Sequence, residues 1–482
     1  MNKKMIVFSL SRIMLFTGAL MIIPVFIGLY YRESSGNVMA FVKSMAIIFL
    51  IFGPLSLIKP ENKMIYMKEG FIITTFIWIF MAFFCGLPFY FSKQFPTLVD
   101  AYFEMASGLT TTGASVVEDL DVISNSVLFW RSFSHFIGGM GVLVLALAVL
   151  PEITPTSVHA MKAEVPGPQF GKLLPKIRSS ARILYSIYML LTIILILALI
   201  IAGMPIFDSI NHALATAGTG GFGMRNGSIA YYNSPIIELI LSVGMLVFGI
   251  NFNLFYMVLI GKFKDAIKSE EMKAYFFIVL MATLAIFLNV SYTYDELWIA
   301  LKDSFFTVCS IITTTGFSIV NYDIWPTFSK WVILLLMFFG GCGGSTAGGL
   351  KISRIIIALK ASLNEIKKTV NPNRKLSLMF DGKALDRQTE KNVLRYIVVY
   401  FILFAFFMLV FSILAPDFES SFSSVVTTFN NVGPGFGIVG PTGNYSSYSA
   451  FNKIWLSLIM ITGRLEVLPI LVVFSPSTWR QG

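Results

Sequence analysis

Charged residues are scarce in this sequence. Asp, Glu, Lys and Arg make up 13% of the 482 residues, while hydrophobic residues make up 56%. A soluble domain carries about 25% charged residues, so a chain this poor in charge cannot cover a water-exposed surface. The composition excludes a soluble globular protein and predicts a polytopic membrane protein.

Cysteine and histidine are scarce too, with three residues of each type. Cys85, Cys309 and Cys342 lie in or beside apolar segments without paired spacing, which predicts neither a disulfide framework nor a zinc site. The sequence offers no constellation of nucleophile, base or metal ligands at membrane depth, and no GxGxxG motif in a strand–helix context. The protein is therefore predicted not to be an enzyme and not to bind an organic cofactor.

Long apolar runs, by contrast, are abundant. A helix needs roughly 20 apolar residues to cross a bilayer, and ten segments approach this length. The first is too long for a signal peptide and is interpreted as a retained anchor. Arg131 lies at the start of the fourth and is expected to snorkel to the outer interface. The segments lie near residues 11–31, 38–58, 70–92, 127–150, 183–203, 235–260, 274–291, 328–349, 393–415 and 453–475.

The distribution of basic residues predicts the topology. Much of the positive charge behind the net +10 lies in alternate loops. Positive charge in membrane proteins accumulates on the cytoplasmic side, so these loops and both termini are predicted to be cytoplasmic. Ten crossings, an even number, agree with that arrangement, and no nucleic acid is needed to explain the charge. The basic stretches are the N-terminus and residues 59–68, 162–182, 262–273 and 351–391.

Four loops on the opposite side share one layout. Each has a short amphipathic stretch, a strip rich in Thr and Gly, and then another apolar segment. The short stretches, such as LVDAYFEMA and IFDSINHAL, cannot span the membrane and predict half-way helices. The strips are SGLTTTGAS (107–115), LATAGTGGFG (214–223), CSIITTTGFS (309–318) and TTFNNVGPGFG (427–437).

The four strips predict a pathway for a cation. Irregular backbone at membrane depth is tolerated only where it is buried in protein or lines a water-filled path. Glycine lets carbonyl groups turn toward an axis, threonine adds a hydroxyl oxygen, and the carboxyl ends of the half-way helices add partial negative charge. Rings of such oxygens suit a monovalent cation. One strip alone would favour a tight extracellular turn, but four copies in the same setting favour a pore.

Four further motifs carry a family resemblance. They are WRSFSHFIGGMG (130–141), FGINFNLFY (248–256), GGCGGSTAGGLKISR (340–354) and GRLEVLPIL (463–471). Together with the strips they extend over nearly the whole chain, which resembles the TrkH-type potassium uptake proteins of the Trk/Ktr/HKT superfamily. The resemblance implies an all-α polytopic membrane protein, with two N-terminal transmembrane helices followed by four covalently linked membrane–pore-loop–membrane repeats around one pore. The implied units are 1–61 for the N-terminal helices, then 62–155, 156–265, 266–365 (with a broken second helix) and 366–482 for the repeats.

The resemblance also implies a potassium filter built from one strip of each repeat. Its central glycines would be Gly113, Gly221, Gly316 and Gly433. Because all four of these positions hold glycine, potassium is the implied ion. The residues implied to supply further carbonyls are Thr111, Thr112, Thr219, Gly220, Thr314, Thr315, Asn431 and Val432.

The segment GGCGGSTAGG, residues 340–349, predicts an interruption of the helix around it. Each glycine costs a helix up to about 1 kcal/mol relative to alanine, and six of these ten residues are glycine. Close helix packing through small residues is the alternative, which two glycines alone would favour. The resemblance implies a gating loop beneath the filter, with Lys351 just beyond it and Arg464 in the pore. The implied gate residues are Gly340, Gly341, Gly343, Gly344, Ser345, Thr346, Gly348, Gly349, Lys351 and Arg464.

The function implied by the resemblance is potassium uptake across the bacterial cytoplasmic (inner) membrane. Potassium-selective translocation would use a channel-like pore surrounded by membrane lipid, with potassium as the transported ion. Proteins of this kind form homodimers and work with a cytosolic TrkA-type ring of nucleotide-binding RCK domains, for which residues 351–391 offer a basic docking surface. A potassium carrier coupled to H⁺ or Na⁺, and a sodium-permeable cation transporter, stay open as alternatives.

Overall fold

The structure is a computed structural model that describes residues 1–62, 65–141, 177–373 and 376–479. Within these ranges the regular structure is helical apart from one small hairpin, formed by β1 (Met379–Phe380) and β2 (Lys383–Ala384). The predicted class, an all-α polytopic membrane protein, is confirmed. The predicted boundary at 155/156, the basic residues at 162–176 and the second half of segment 127–150 lie outside the described residues.

Short and long helices alternate along the chain. Those that precede the second strip are α1 (Lys3–Leu20), α2 (Ile22–Tyr30), α3 (Ser35–Leu55), α4 (Met67–Phe91), α5 (Leu98–Leu109), α6 (Asn125–Gly139), α7 (Ile177–Ile201) and α8 (Ile206–Gly218). Those that follow it are α9 (Pro235–Phe248), α10 (Phe252–Leu259), α11 (Phe263–Ile267), α12 (Glu270–Val290), α13 (Leu297–Ile312), α14 (Thr327–Phe338), α15 (Ile352–Val370), α16 (Arg387–Phe411), α17 (Phe418–Phe429), α18 (Ala450–Arg464), α19 (Leu468–Phe474) and α20 (Pro476–Trp479). Helices α5, α8, α13 and α17 are the four half-way helices, called pore helices below, and they are 12 to 16 residues long.

The N-terminal helices pack against the first repeat. Helices α1 and α2 together form an apolar run of 28 residues. Helix α1 begins at Asn2, whose side-chain oxygen accepts a hydrogen bond from the Met5 N–H at 3.1 Å. The side chains of Met14, Phe41 and Ile48 are fully buried in the same core as those of α4. Burial of these apolar side chains therefore holds α1 and α3 against α4, the first helix of the first repeat.

Fewer uninterrupted spans are present than the ten segments suggested. Among the described residues, six helices are long and apolar enough to cross a membrane, or up to eight if two bent pairs count as spans. Segments 235–260 and 453–475 are those pairs, bent by 89° and 119°. In segment 328–349 the helix ends at Phe338, and in 127–150 it ends at Gly139. Ten uninterrupted helical spans are therefore not found among the residues that the structure describes, because apolar composition sets the depth of a segment but not the continuity of its helix.

Local backbone chemistry explains the two bends. Gly249 ends α9, and the side-chain oxygen of Asn251 then caps α10 by accepting from the Asn253 N–H at 2.9 Å. Between α18 and α19, Glu466 and Val467 have φ values of 53° and 70°. This left-handed backbone is incompatible with a continuing right-handed helix.

A buried ion pair joins the first and fourth repeats. Lys453 Nζ of α18 lies 2.6 Å from Asp100 Oδ1 of α5, and the two side chains are only 10% and 7% exposed. Asp100 lies in the first turn of α5, where the helix dipole favours a negative charge, and Thr97 caps this turn by accepting from the Asp100 N–H at 3.1 Å. The pair thereby fixes the amino end of the first pore helix against α18.

The substitution Lys453→Met is expected to destabilise the protein strongly. It leaves the Asp100 carboxylate buried without its cation, and removal of one partner from a buried pair typically costs about 3–5 kcal/mol. Thermal unfolding of the purified protein in detergent measures the change.

The exposed pair of Lys4 and Glu61, with side chains 62% and 91% exposed, provides the matched control. Lys4→Met is expected to leave the unfolding midpoint nearly unchanged, because exposed pairs contribute little. The double variant Asp100→Asn/Lys453→Met should recover part of the loss. An unfolding midpoint of Lys453→Met equal to that of Lys4→Met would contradict the structural role of the buried pair.

Candidate functional site

All four pore helices end in the same backbone motif. An N–H just beyond each helix donates to the carbonyl five residues earlier, at 2.8 to 2.9 Å, which is the Schellman arrangement. The motif ends each helix within its strip, one or two positions before the predicted filter residues. The donor N–H groups belong to Thr112, Gly220, Thr315 and Val432.

The residue at the turn of each motif has a left-handed backbone. Thr111, Thr219 and Thr314 have φ values of 56°, 56° and 55°, and Asn431 has a φ of 56°. A β-branched residue rarely adopts this conformation, because its side chain crowds the backbone. Three threonines held in it indicate a strained segment that the surrounding structure maintains, as is typical of functional sites.

The predicted filter glycines are left-handed as well. Gly113, Gly221, Gly316 and Gly433 have φ values of 79°, 70°, 84° and 94°. The residue between each glycine and the preceding left-handed residue has a negative φ. Such alternation turns successive carbonyl groups toward the same side of the strip, as a path lined by backbone oxygens requires.

The four strips form a closed ring. A Cβ atom added to any of the four glycines would lie under 3.0 Å from a carbonyl oxygen of the next strip. Because the fourth strip meets the first, these oxygens surround one axis, and all twelve residues predicted for the filter come together around it. The pairs are Gly113 with Gly220 O, Gly221 with Thr315 O, Gly316 with Val432 O, and Gly433 with Thr112 O.

Residues 339–351, called the glycine loop below, are non-helical and lie against this ring. The Gly348 N–H donates to Thr314 Oγ1 at 2.7 Å, so that the loop contacts the third strip directly. Gly344 and Gly349 have φ values of 74° and 65°, which a helix cannot contain. The loop enters at the end of α14 and leaves at the start of α15.

The glycine loop and the break in the second repeat satisfy each other's backbone groups. The Cys342 N–H donates to Gly249 O at 2.9 Å, and the Phe252 N–H donates to Gly344 O at 3.1 Å. Backbone groups freed by a broken helix need such partners at membrane depth. Each of the two breaks therefore stabilises the other.

One carboxylate joins the glycine loop to the first turn of α15. Glu271 Oε1, in the first turn of α12, accepts from the Gly343 N–H at 2.7 Å and from the Ser353 N–H at 2.9 Å. Glu271 is only 5% exposed. Sequence reasoning missed this residue because it lies 72 positions from Gly343 and belongs to no motif.

Arg464 joins the glycine loop to the first repeat. Its guanidinium donates to Thr346 O at 2.7 Å and to Gly138 O and Gly139 O, both at 2.6 Å. Since the three carbonyls belong to two different repeats, this one side chain bridges the space between them. Glu466, two residues away, forms an ion pair with Arg354 of α15.

Lys351 lies next to Arg464. Its ammonium group donates to Ala347 O and, at 3.3 Å, to Gly348 O. Lys351 and Arg464 are 1% and 6% exposed, and both line a cavity of about 10 Å³. That volume holds at most one water molecule. The ten residues predicted for the gate are thus adjacent to one another and to the ring.

Arg131 corrects an expectation from the sequence. It does not snorkel to an interface but is 2% exposed, and its Nη2 atom lies 2.7 Å from Oε1 of the fully buried Glu104. Glu104 also accepts from the Ser115 hydroxyl and the Val116 N–H, both at 2.9 Å. The pair of Arg131 and Glu104 therefore stabilises the end of the first strip through these hydrogen bonds. The position of Arg131 in an apolar segment did not predict this role.

His135 links two strips. Its Nδ1 atom lies 2.7 Å from Gly108 O, and its Nε2 atom accepts from the Phe222 N–H at 3.3 Å. Because a carbonyl only accepts, the Nδ1 atom carries the proton and the ring is neutral. Within the described ranges no cluster of three or more His, Cys, Asp or Glu side chains could hold a metal ion.

The fold and the ring define a polytopic helical membrane protein of the pore-loop class, with four strips around one axis. The sequence profile of TrkH, a family of cation transport proteins, matches residues 37–481. The chain belongs to the TrkH family.

Curated relatives and a solved structure match nearly the whole chain. The Trk system potassium uptake proteins TrkH of Salmonella typhimurium and of Escherichia coli K12 are each 37% identical over 480 residues, which cover 97% of both chains. The crystal structure of the potassium transporter TrkH from Vibrio parahaemolyticus is 30% identical, with a TM-score of 0.90 and 100% coverage of both chains.

The substitution Gly113→Ser is expected to weaken discrimination of K⁺ over Na⁺. A side chain at this left-handed position would overlap Gly220 O and displace the carbonyls around the axis. The ratio of K⁺ to Na⁺ flux in proteoliposomes is the measurement.

Gly203 provides the matched control, because its φ is 91° and a Cβ there meets nothing within 4 Å. Gly203→Ser introduces the same side chain at a left-handed position in the turn between α7 and α8, outside the strips, and the flux ratio should keep its original value. An unaltered ratio for Gly113→Ser in folded protein would remove the first strip from the filter.

Proposed function

We propose that this chain carries potassium selectively through its central pore and thereby serves potassium uptake across the bacterial inner membrane. The observation that carries the proposal is the closed ring of backbone carbonyls from residues 112, 220, 315 and 432. Relatives named as potassium uptake proteins support the choice of ion, since they match the chain over nearly its full length.

The ring suits potassium for electrostatic reasons. Backbone carbonyls are neutral dipoles that can replace the hydration shell of a monovalent cation without trapping it. Each pore helix ends one or two positions before the filter residues of its strip, so the negative ends of four helix dipoles lie beside the ring. The filter ligands are accordingly the strip residues 111–113, 219–221, 314–316 and 431–433.

The glycine loop is the gate. It is held across the path by hydrogen bonds to Thr314, Gly249 and Arg464, and ion flow requires that some of these contacts break. The loop continues into α15, so that movement of α15 is transmitted to the loop through a short connection. The cation of Arg464 adds an electrostatic barrier beneath the filter.

A cytosolic TrkA-type ring of nucleotide-binding RCK domains controls this gate. Its docking surface is the basic stretch 351–391, in which Lys367, Lys383, Arg387 and Lys391 are exposed. The curated relatives are named as proteins of a Trk system, which supports a transporter made of this membrane chain and separate further components. Two copies of the chain assemble as a homodimer, a state that rests on the family resemblance and that light scattering of the purified protein measures.

Both chain termini lie on the cytoplasmic side of the inner membrane. Residues near both ends of the chain contact the start of α4, since the Asn2 N–H donates to Glu69 Oε1 at 3.2 Å and Lys68 Nζ donates to Ser477 O at 3.1 Å. Two termini on the same side require an even number of crossings. The basic loops of the sequence then mark this side as cytoplasmic.

Growth of a potassium-uptake-deficient bacterial strain that expresses this chain tests the proposal. Restored growth at limiting potassium, together with ⁸⁶Rb⁺ uptake by proteoliposomes, is expected. Unitary currents in a bilayer would favour a pore, whereas flux that stops without a proton or sodium gradient would favour the coupled carrier. Equal permeability to Na⁺ would favour the sodium-permeable transporter, and no uptake in either assay would refute the proposal.

The substitution Arg464→Ala is expected to increase potassium flux several-fold or more, with selectivity largely intact. A fixed positive charge about 6 Å from a passing ion opposes it by roughly 3 kcal/mol at an effective dielectric constant near 20, and by under about 1 kcal/mol in water. Tracer flux in proteoliposomes, normalised to folded protein, measures the effect.

Arg464→Lys separates charge from bridging. It keeps the positive charge but cannot bridge Thr346 O, Gly138 O and Gly139 O as the guanidinium does. If the barrier is electrostatic, flux through Arg464→Lys stays near the original value. Unchanged or reduced flux through Arg464→Ala would exclude Arg464 from the permeation path.

Deletion of residues 343–348 is expected to raise potassium flux per folded molecule, because it removes the part of the glycine loop that contacts Thr314 and Arg464. Gel filtration and thermal unfolding identify the folded, assembled fraction. A well-folded deletion variant with flux equal to or below the original would show that the loop serves packing and not gating.

A further inference from the structure

The carbonyl groups of the four filter glycines are not equivalent. Among the hydrogen bonds of the described residues, none reaches the carbonyl oxygen of Gly113, Gly221 or Gly316. Gly433 O, in contrast, accepts a hydrogen bond from the Tyr445 hydroxyl at 2.7 Å. One quarter of the ring therefore differs from the other three at the level of the glycines.

Tyr445 is fixed in place from several sides. It lies in the segment between the fourth strip and α18, yet it is only 2% exposed. Its ring centroid is 5.4 Å from that of Phe103 in the first pore helix, and its N–H donates to Ser115 O at 2.8 Å. The residue thus bridges the fourth and first strips, and its hydroxyl cannot swing away from Gly433 without unpacking both.

The direction of the hydrogen bonds follows from the number of protons. The Tyr445 oxygen lies within hydrogen-bonding distance of both Gly433 O, at 2.7 Å, and Thr427 Oγ1, at 2.9 Å. A carbonyl oxygen only accepts, so the single phenolic proton must be donated to Gly433 O. Thr427 Oγ1 lies 2.9 Å from both the phenolic oxygen and Ser423 O, so its single proton is shared between these two acceptors and supports the hydrogen bond to Gly433 only in part.

We propose that Tyr445 is a specificity-determining residue, which weakens the Gly433 carbonyl as a cation ligand and leaves three strong carbonyls at this level of the filter. This inference rests on the proposed potassium transport. A carbonyl that already accepts a hydrogen bond is directed toward its donor and offers less negative charge to a second partner. The binding position formed by the four glycine carbonyls then binds potassium less tightly and releases it more readily, which multi-ion conduction requires.

Tyr445→Phe tests the inference, because it removes one oxygen atom and keeps the ring that packs on Phe103. The freed Gly433 carbonyl should strengthen cation binding, so the dissociation constant for K⁺ is expected to fall by about three-fold or more. The ratio of Rb⁺ to Na⁺ flux should rise by about two-fold or more for the same reason. Isothermal titration of purified full-length protein with KCl and tracer flux in proteoliposomes are the two measurements.

Tyr448→Phe is the matched control. Tyr448 lies in the same segment, is 5% exposed and has its hydroxyl 2.8 Å from Ser424 Oγ, away from any filter carbonyl. For Tyr448→Phe, both the dissociation constant for K⁺ and the ratio of Rb⁺ to Na⁺ flux should equal those of the original protein.

Thr427→Val removes the hydroxyl that lies beside the Tyr445 oxygen. It is expected to shift the dissociation constant and the flux ratio in the same direction as Tyr445→Phe, but by less.

The outcomes separate this inference from the proposed function. A dissociation constant that stays the same or rises in folded Tyr445→Phe overturns the inference, even if the original protein transports potassium. If Tyr445→Phe does not fold, Thr427→Val decides in the same way. If the original protein binds K⁺ but transports none, the proposed function fails, while a lowered dissociation constant in Tyr445→Phe still upholds the role of Tyr445.

Discussion

The need of backbone groups for partners at membrane depth shapes this molecule. An interrupted helix frees N–H and C=O groups that lipid cannot satisfy. Here the interruptions are gathered in one place, so that the break after Gly249 and the glycine loop share hydrogen bonds, and the strips have an axis on which to direct their carbonyls. Irregular backbone exposed to lipid would leave its N–H and C=O groups without partners. In the four strips and the glycine loop this backbone is instead surrounded by protein.

Buried charge follows the same constraint. Arg464 and Lys351 donate to backbone carbonyls of the glycine loop, while Glu271 accepts from two of its N–H groups. A carboxylate and two cations thus form hydrogen bonds with backbone groups of the loop that, in a regular helix, would bond to one another. Arg464 and Glu271 reach the loop from segments distant in the chain.

Much of the fold could be predicted from the sequence. Apolar length located the long helices, and the Thr/Gly strips located the pore helices before them, because both signals depend on composition over short windows. The residues that brace the strips could not be found in this way. Glu104, His135 and Tyr445 bond to residues of other segments, and without alignment or structure nothing in their own neighbourhoods distinguishes them from ordinary packing residues.

The sequence by itself determined that the chain enters a membrane, that four short strips each interrupt helical backbone, and that residues 340–349 interrupt a helix. Each of these follows from the transfer free energy or backbone freedom of residues close together in the chain. Only the tertiary structure decided that the strips close into a ring and that Arg131 pairs with Glu104 instead of reaching an interface. Such contacts form between segments that are distant in the chain. Which segments meet depends on the packing free energy of the complete fold and not on the residues near each contact in the sequence.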